Sequence, residues 1–149
     1  MNIAVESPLT QDAATLIEGS EAALCEVYTT DECFTFTAAE LDDEDIIFLV
    51  ARNAKKQAIG CVALCDYEIY GEVKRLYVAP TGRGQGTARK LMDDLEERAR
   101  LIGHEAIKLE TGDKLAAAVS LYKSIGYSVC GPFGDYPEHP ASLFMTKEL

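Results

Sequence analysis

A glycine-rich stretch at residues 78–88 lies between a strand-like run at 72–78 and a helix predicted over 84–102. Apolar residues recur in that helix at the i, i+3, i+4, i+7 spacing of a core-facing stripe. Glycines at 82, 84 and 86 let the backbone turn tightly and approach a ligand without obstruction from Cβ atoms. Since the unpaired N–H groups of a helix N-terminus attract anions, the stretch predicts a strand–loop–helix unit with an anion site.

The rest of the chain predicts an α/β (α+β) fold. The expected strands are 2–6, 46–52, 58–67, 72–78, 106–110, 127–130 and 142–147, and the expected helices are 11–28, one turn at 38–41, 84–102 and 114–124. Asp113 is the expected cap of the last helix, and Gly126 its stop. A strand–helix–strand order in the middle implies one parallel pair, whereas the hairpin-like connections imply antiparallel neighbours. We expect a single domain over 1–149.

Charge and cysteine usage restrict the partners. The net charge is −11, with 25 acidic and 14 basic residues. A field of that sign repels nucleic acid and anionic membranes and attracts cationic small molecules, although it also serves solubility alone. The five cysteines form no C-x-x-C pair and have no histidines at metal-ligand spacing. Without an apolar run of membrane-spanning length or a secretory signal, we expect a cytoplasmic protein with no metal, nucleic acid or membrane partner.

Two common phosphate-binding motifs do not fit the glycine-rich stretch. A Walker A loop needs Gly-Lys-Ser/Thr, which the chain lacks. The dinucleotide pattern G-x-G-x-x-G needs a third glycine, where this chain has Arg89 or Thr87, depending on the register. What remains is Arg83-x-x-Gly86-x-Ala88, which by itself indicates an anion at a helix N-terminus or glycines that serve only the turn.

This remaining pattern resembles the central motif of the GNAT superfamily of acyl-CoA-dependent N-acetyltransferases, Gln/Arg-x-x-Gly-x-Gly/Ala. Residues 121–127, Leu-Tyr-Lys-Ser-Ile-Gly-Tyr, look like the family's later L-Y-x-x-x-G-F/Y segment. The resemblance covers about residues 45–149 and is weak over the first 44. It implies the GNAT fold: one mixed, mostly antiparallel sheet of six to seven strands, with a parallel pair at the CoA site and about four flanking helices.

The resemblance also implies a CoA site on the strand and the loop. The strand residues would meet the pantetheine arm and polarise the thioester through their amides, and the loop would cradle the pyrophosphate. The strand residues are Leu76, Tyr77 and Val78, and the loop residues are Arg83, Gly84, Gln85, Gly86, Thr87 and Ala88, with Arg89 nearby. Leu115 stands where the family often has an asparagine that binds pantetheine. CoA affinity would then depend more on backbone contacts or on another side chain.

Two residues carry the implied acid–base roles. Tyr122 matches the family tyrosine that lies near the CoA sulfur and can protonate it, although an aromatic residue on a helix also packs without reacting. Glu72 stands eleven residues before Arg83, where a glutamate acts as general base in the protein-lysine branch. The alternatives for Glu72 are a solvated carboxylate or an ion pair with Lys74.

The acceptor is the least determined part. In similar proteins the loop at 131–140 borders the acceptor site, so Phe133, Asp135 and Tyr136 are candidate acceptor-binding residues, as is Phe34 in the N-terminal segment. The alternative for the loop is a rigid surface turn. His104 is expected at the surface.

The resemblance therefore implies transfer of an acetyl group from acetyl-CoA to a primary amine, most simply on a small molecule, in a ternary complex. A protein lysine or N-terminal acetyltransferase and a non-catalytic acyl-CoA-binding module are the alternatives left open. A homodimer is compatible with the resemblance.

Overall fold

The computed structural model describes residues 1–28 and 37–149. Seven strands of this part of the chain form one sheet, with helices on both faces. In chain order the elements are β1 (Asn2–Val5), α1 (Gln11–Cys25), α2 (Ala38–Leu41), β2 (Ile46–Arg52), β3 (Ala58–Tyr67), β4 (Tyr70–Val78), α3 (Thr87–Ile102), β5 (Ala106–Gly112), α4 (Ala116–Ser124), β6 (Ser128–Cys130) and β7 (Ser142–Glu148). A short 3₁₀ turn, Pro80–Gly82, precedes α3.

The strand order is β1-β2-β3-β4-β5-β7-β6. Every neighbouring pair is antiparallel except β4 and β5, which are parallel. The connection between these two strands contains α3, as a parallel crossover requires. The prediction of a mixed, mostly antiparallel sheet with one parallel pair is therefore confirmed.

The parallel pair separates after three residues. Gly71 to Val73 on β4 pair with Ile107 to Leu109 on β5, and no pairing follows although both strands continue. On its other side β4 has a register shift against β3, and Arg75 takes a left-handed conformation with φ 56°. A bulge of this kind bends a strand and locally turns its side chains. The bend leaves a gap between β4 and β5 in the middle of the sheet.

Two apolar clusters hold the layers together. On one face the cluster contains Leu91 and Leu95 of α3 together with Ile107 and Leu109 of β5, and all four side chains are essentially inaccessible to water. On the other face α1 packs Leu16 and its neighbours against Phe48 and Val50 of β2 and Cys61 of β3. Burial of this kind is the main favourable term in folding.

Several predicted boundaries differ from the structure by one to three residues, and the differences at the helices have identifiable positions. The helix expected from 84 begins at Thr87, because Gly84 and Gly86 have φ values of 75° and 74°, which a right-handed helix cannot contain. The first helix ends at Cys25 rather than at 28. The expected cap Asp113 is also wrong, since α4 begins at Ala116 and Asp113 instead accepts a hydrogen bond from Tyr28 at 2.9 Å.

The structure also answers the question of membrane-spanning helices for the residues it describes. None of the helices in residues 1–28 and 37–149 combines the length and the apolarity that crossing a bilayer requires.

Candidate functional site

A cavity of about 590 Å³ lies where β4 and β5 separate. Its walls come from both faces of the sheet: residues 73–78 of β4, residues 110–112 of β5, the C-terminal half of α1 and the N-terminal part of α4. Five alanines and Leu24 make much of the wall apolar, and polar groups project from it. A concave, mostly apolar site with a few converging polar groups is typical of a small-molecule pocket.

The glycine loop continues from one end of this cavity to the N-terminus of α3. Gly84 and Gly86 both adopt the left-handed conformation, and a Cβ built on either would meet no atom within 4 Å. Gly86 is the N-cap residue of α3, and no side chain in the described part of the chain caps that end of the helix. The open space and the uncapped N–H groups together form a place that an anion can occupy.

Side chains of the loop bond back to its own backbone and hold its shape. Thr87 is buried and its hydroxyl donates to the carbonyl of Gly82 at 2.7 Å. Gln85 donates from Nε2 to the carbonyl of Thr81 at 3.1 Å. Arg83 donates from Nε to the carbonyl of Val78 at 3.3 Å, which places its guanidinium at the cavity.

The predicted CoA residues divide into two groups. Leu76, Tyr77, Val78 and Arg83 belong to the cavity wall. The others, residues 84–89, follow directly at the start of α3 and lie outside that wall. Arg89 points toward α4, where its Nη2 donates to the hydroxyl of Ser124 at 2.8 Å.

Tyr122 on α4 lies in the cavity wall and is buried. Its ring packs edge-on against Tyr127, with 5.7 Å between the ring centroids. Burial raises the pKa of the Tyr122 phenol above its usual value, and the nearby Glu110 raises it further. The phenol is therefore protonated at neutral pH and is able to donate a proton.

Glu110, at the C-terminal part of β5, is an ionisable residue of the cavity that the sequence analysis did not predict as a site residue. Burial raises the pKa of its carboxyl to about 7, the hydroxyl of Ser142 and the ammonium of Lys74 lower it, and Glu72 raises it. Such a carboxyl exchanges protons near neutral pH. The available sequence signal was its place at the carboxyl end of a strand beside a topological switch, where α/β sheets bind ligands.

Of the two predicted alternatives to a base role, the structure shows the ion pair of Glu72 with Lys74 and not a solvated carboxylate. It is 2% exposed and is absent from the cavity wall. Its Oε2 atom lies 2.8 Å from Nζ of Lys74 and accepts a hydrogen bond from Oη of Tyr136 at 2.6 Å. Burial raises the pKa of the Glu72 carboxyl, and the Lys74 ammonium opposes that shift.

The loop between β6 and β7 packs over the sheet beside the cavity. Phe133 and Tyr136 lie with ring centroids 5.4 Å apart, and both contact Phe144 of β7 at 5.7 Å. Asp135 is exposed to solvent. None of these three predicted acceptor residues is in the cavity wall itself, and the fourth, Phe34, lies outside the described residues.

The two histidines both contact neighbouring groups. His104 was expected at the surface, but it is buried where α3 passes into β5, with Nε2 lying 2.8 Å from Oδ1 of Asp66 in a poorly aligned contact. His139 accepts a hydrogen bond on Nδ1 from the backbone N–H of Ala141 at 3.0 Å. Within residues 1–28 and 37–149, no group of three or more His, Cys, Asp and Glu side chains is arranged to hold a metal ion.

Comparison of the sequence with family profiles and with known proteins finds acetyltransferases in both cases. Residues 13–127 match the sequence profile of the acetyltransferase (GNAT) family. The chain is 41% identical over 151 residues to the IAA acetyltransferase of Azospirillum brasilense, a match that covers 100% of this chain and 98% of that protein.

Two solved structures have the same fold. A proposed acyl-CoA N-acyltransferase from Klebsiella pneumoniae superimposes with a TM-score of 0.85 at 31% identity, over 99% of this chain and 97% of that one. The PaiA N-acetyltransferase of Thermoplasma acidophilum, solved in complex with coenzyme A, superimposes with a TM-score of 0.72 at 20% identity over 100% of both chains.

Proposed function

Since the chain belongs to the GNAT family of acetyltransferases, we propose that it transfers an acetyl group from acetyl-CoA to the amine of a small molecule. Both substrates are bound at once and the transfer is direct. The observation that carries this proposal is the cavity, which places a protonated phenol and a carboxyl of pKa about 7 beside a β4 segment that leads to the glycine loop.

Coenzyme A would lie along β4 and end at the start of α3. The gap between β4 and β5 exposes the backbone of residues 76–78 to an extended pantetheine arm. The pyrophosphate would bind the N–H groups of residues 84–88, with Arg83 and Arg89 supplying positive charge. The PaiA enzyme, which shares this fold, was solved in complex with coenzyme A, and this supports coenzyme A as the ligand.

The left-handed conformation of Gly86 gives a test of the pyrophosphate site. Gly86→Val is expected to weaken CoA binding about tenfold, because a non-glycine residue pays about 1–2 kcal/mol in this conformation. Gly86→Asn is the matched control, since asparagine adopts it more readily. Isothermal titration of the folded variants with CoA measures the effect, and equal dissociation constants for Val, Asn and wild type would contradict the placement.

The proposed chemistry uses two side chains of the cavity wall, Glu110 of β5 and Tyr122 of α4. Glu110 takes the proton of the amine, directly or through a water, as the nitrogen attacks the thioester carbon. Backbone N–H groups of residues 76–78 stabilise the oxyanion that develops. A C–N bond forms, the C–S bond breaks, and Tyr122 protonates the departing sulfur of CoA.

Glu110 is preferred to Glu72 as the base because of access. Glu110 lines the cavity, whereas Glu72 is already engaged by Lys74 and Tyr136 and is not part of the wall. Glu72 as general base stays a prediction, which a comparison of Glu72→Gln with Glu110→Gln decides.

A small-molecule acceptor is supported by the relative from Azospirillum brasilense, whose name designates an acetyltransferase of IAA and whose sequence aligns with this chain over its full length. The net charge of −11 favours cationic acceptors. Phe133, Asp135 and Tyr136 remain proposed contacts for the part of the acceptor that extends beyond the cavity.

Release of free CoA thiol tests the function. Purified protein with acetyl-CoA is expected to release thiol faster when a suitable member of a panel of small amines is added. Mass spectrometry should find the product about 42 Da heavier than the amine, which is the mass that one acetyl group adds. IAA and lysine peptides are assayed separately beside this panel. Acetylation confined to peptides would favour the protein-acetyltransferase alternative, and CoA binding without thiol release on any acceptor would favour a binding module.

A further inference from the structure

We propose that Lys74 is a positioning residue whose ammonium connects the buried Glu72 to Glu110 and so determines the charge state of Glu110 in the cavity. The inference rests on the proposed function only in taking Glu110 as the reacting carboxylate. It assigns a role to a pair of residues, Glu72 and Lys74, that the chemistry above leaves unused.

The first step is the ion pair between Glu72 and Lys74. These residues are two apart on β4, so their side chains leave the strand on the same face. Nζ of Lys74 lies 2.8 Å from Oε2 of Glu72, and the two side chains are 9% and 3% exposed. Little water reaches the pair, so its charges are screened much less than those of a surface pair.

The second step is the position of Lys74 beside Glu110. In the parallel ladder Glu72 pairs with Lys108 and Val73 with Leu109, so the next pair in register would be Lys74 and Glu110. At this point the strands begin to separate, and both residues line the cavity there. Lys74 therefore contacts Glu72 through its ammonium and shares the cavity wall with Glu110.

The third step is the contact of Tyr136 with the Glu72–Lys74 ion pair. Tyr136 donates its phenolic hydrogen to Oε2 of Glu72 at 2.6 Å, and its ring centroid lies 4.5 Å from Nζ of Lys74. A hydrogen bond to the ionised carboxylate stabilises it, and an aromatic ring stabilises the neighbouring cation. Tyr136 therefore keeps both members of the pair in place beneath the loop between β6 and β7.

The groups that face Glu110 determine the sign of the effect. Lys74 and Glu72 face it from β4, Tyr122 from α4, Tyr28 from the turn after α1 and Ser142 from β7. Only Lys74 among them is a cation, so the loss of its charge should make Glu110 harder to ionise. Loss of the Glu72 charge alone should do the opposite, because it leaves the ammonium facing Glu110.

The experiment is an NMR titration of the full chain without substrates. The ¹³C carboxyl resonance of Glu110 is assigned by its disappearance in Glu110→Gln and followed with pH. Lys74→Met is expected to raise the midpoint by about one pH unit or more, Glu72→Gln to lower it, and Lys74→Arg to leave it close to wild type. An unchanged midpoint in folded Lys74→Met would overturn the proposal.

Lys74→Met alone leaves the Glu72 carboxylate buried without its partner and so can fail to fold. A double variant covers that case. Lys74→Met with Glu72→Gln removes both charges, and its Glu110 midpoint should lie above that of Glu72→Gln, because only the ammonium separates these two proteins. Equal midpoints would overturn the proposal. The titration needs neither acetyl-CoA nor an acceptor, so a failed thiol-release assay would count against the proposed function and not against this inference.

Discussion

Glu110→Gln is expected to lower kcat/KM at neutral pH by about 100-fold to 10,000-fold, the usual contribution of a positioned general base. The amide keeps the size and shape of the side chain but cannot take the proton of the amine. The dissociation constant for CoA should change little, because Glu110 faces the gap beside β5 rather than the glycine loop. Steady-state kinetics and a CoA titration of the same preparation measure both quantities.

The pH profile provides the stricter test of Glu110. A base must be deprotonated to act, so the wild-type kcat/KM should rise with pH and level off above a pKa of about 7, the value that burial imposes on Glu110. This rise should be absent from Glu110→Gln. Glu72→Gln is the matched control, because it makes the same change on the neighbouring strand, and it should retain a rise shifted to lower pH. Retention of the unshifted rise in Glu110→Gln would exclude Glu110 as the base.

Tyr122→Phe is expected to lower kcat by about 100-fold or more while the KM for acetyl-CoA stays within a fewfold of wild type. Phenylalanine preserves the ring that packs against Tyr127 and removes only the proton donor. Without that donor the sulfur of CoA leaves as a thiolate, which raises the barrier to cleavage of the C–S bond. Single-turnover kinetics under saturating acetyl-CoA measure this step apart from product release.

Tyr127→Phe is the matched control for the Tyr122 prediction. It removes a phenolic hydroxyl from the neighbouring buried ring, but that hydroxyl donates to Glu96 at 3.0 Å and does not line the cavity. The change should lower the free energy of unfolding by about 1–3 kcal/mol, the range for leaving a buried polar group unsatisfied. Its kcat should remain near wild type, and an equal loss of kcat in both variants would contradict the acid role of Tyr122.

The effects expected for the Glu110 and Tyr122 variants both depend on the separation of β4 from β5. Because β4 and β5 are parallel and are joined through α3, the proposed phosphate-binding end of the site and its proposed reacting end are built from one crossover unit. The bulge at Arg75 then separates the strands early enough for Glu110 and Tyr122 to face one cavity. A flat, regularly paired sheet would have no gap at this position.

Local chemistry made part of the site predictable from the sequence. The strand–loop–helix unit follows from periodicity and from glycines, which adopt left-handed conformations at low cost. Tyr122 follows from its motif, and the structure places it in the cavity wall. The helix start at 84 was placed too early because periodicity does not reveal which glycines are left-handed.

Glu110 and the partners of Glu72 required the folded chain. A strand pattern shows that two residues share a face, but it does not show which neighbouring strand that face meets or whether water reaches it. Tyr136 reaches Glu72 from 64 residues away, and Lys74 and Glu110 share one cavity wall just beyond the last paired residues of β4 and β5. The sequence by itself determined the types of the elements, the glycine loop and the family. Only the tertiary structure decided which carboxylate faces the cavity and which is sealed behind Tyr136, because desolvation and charge pairing arise from contacts between distant segments.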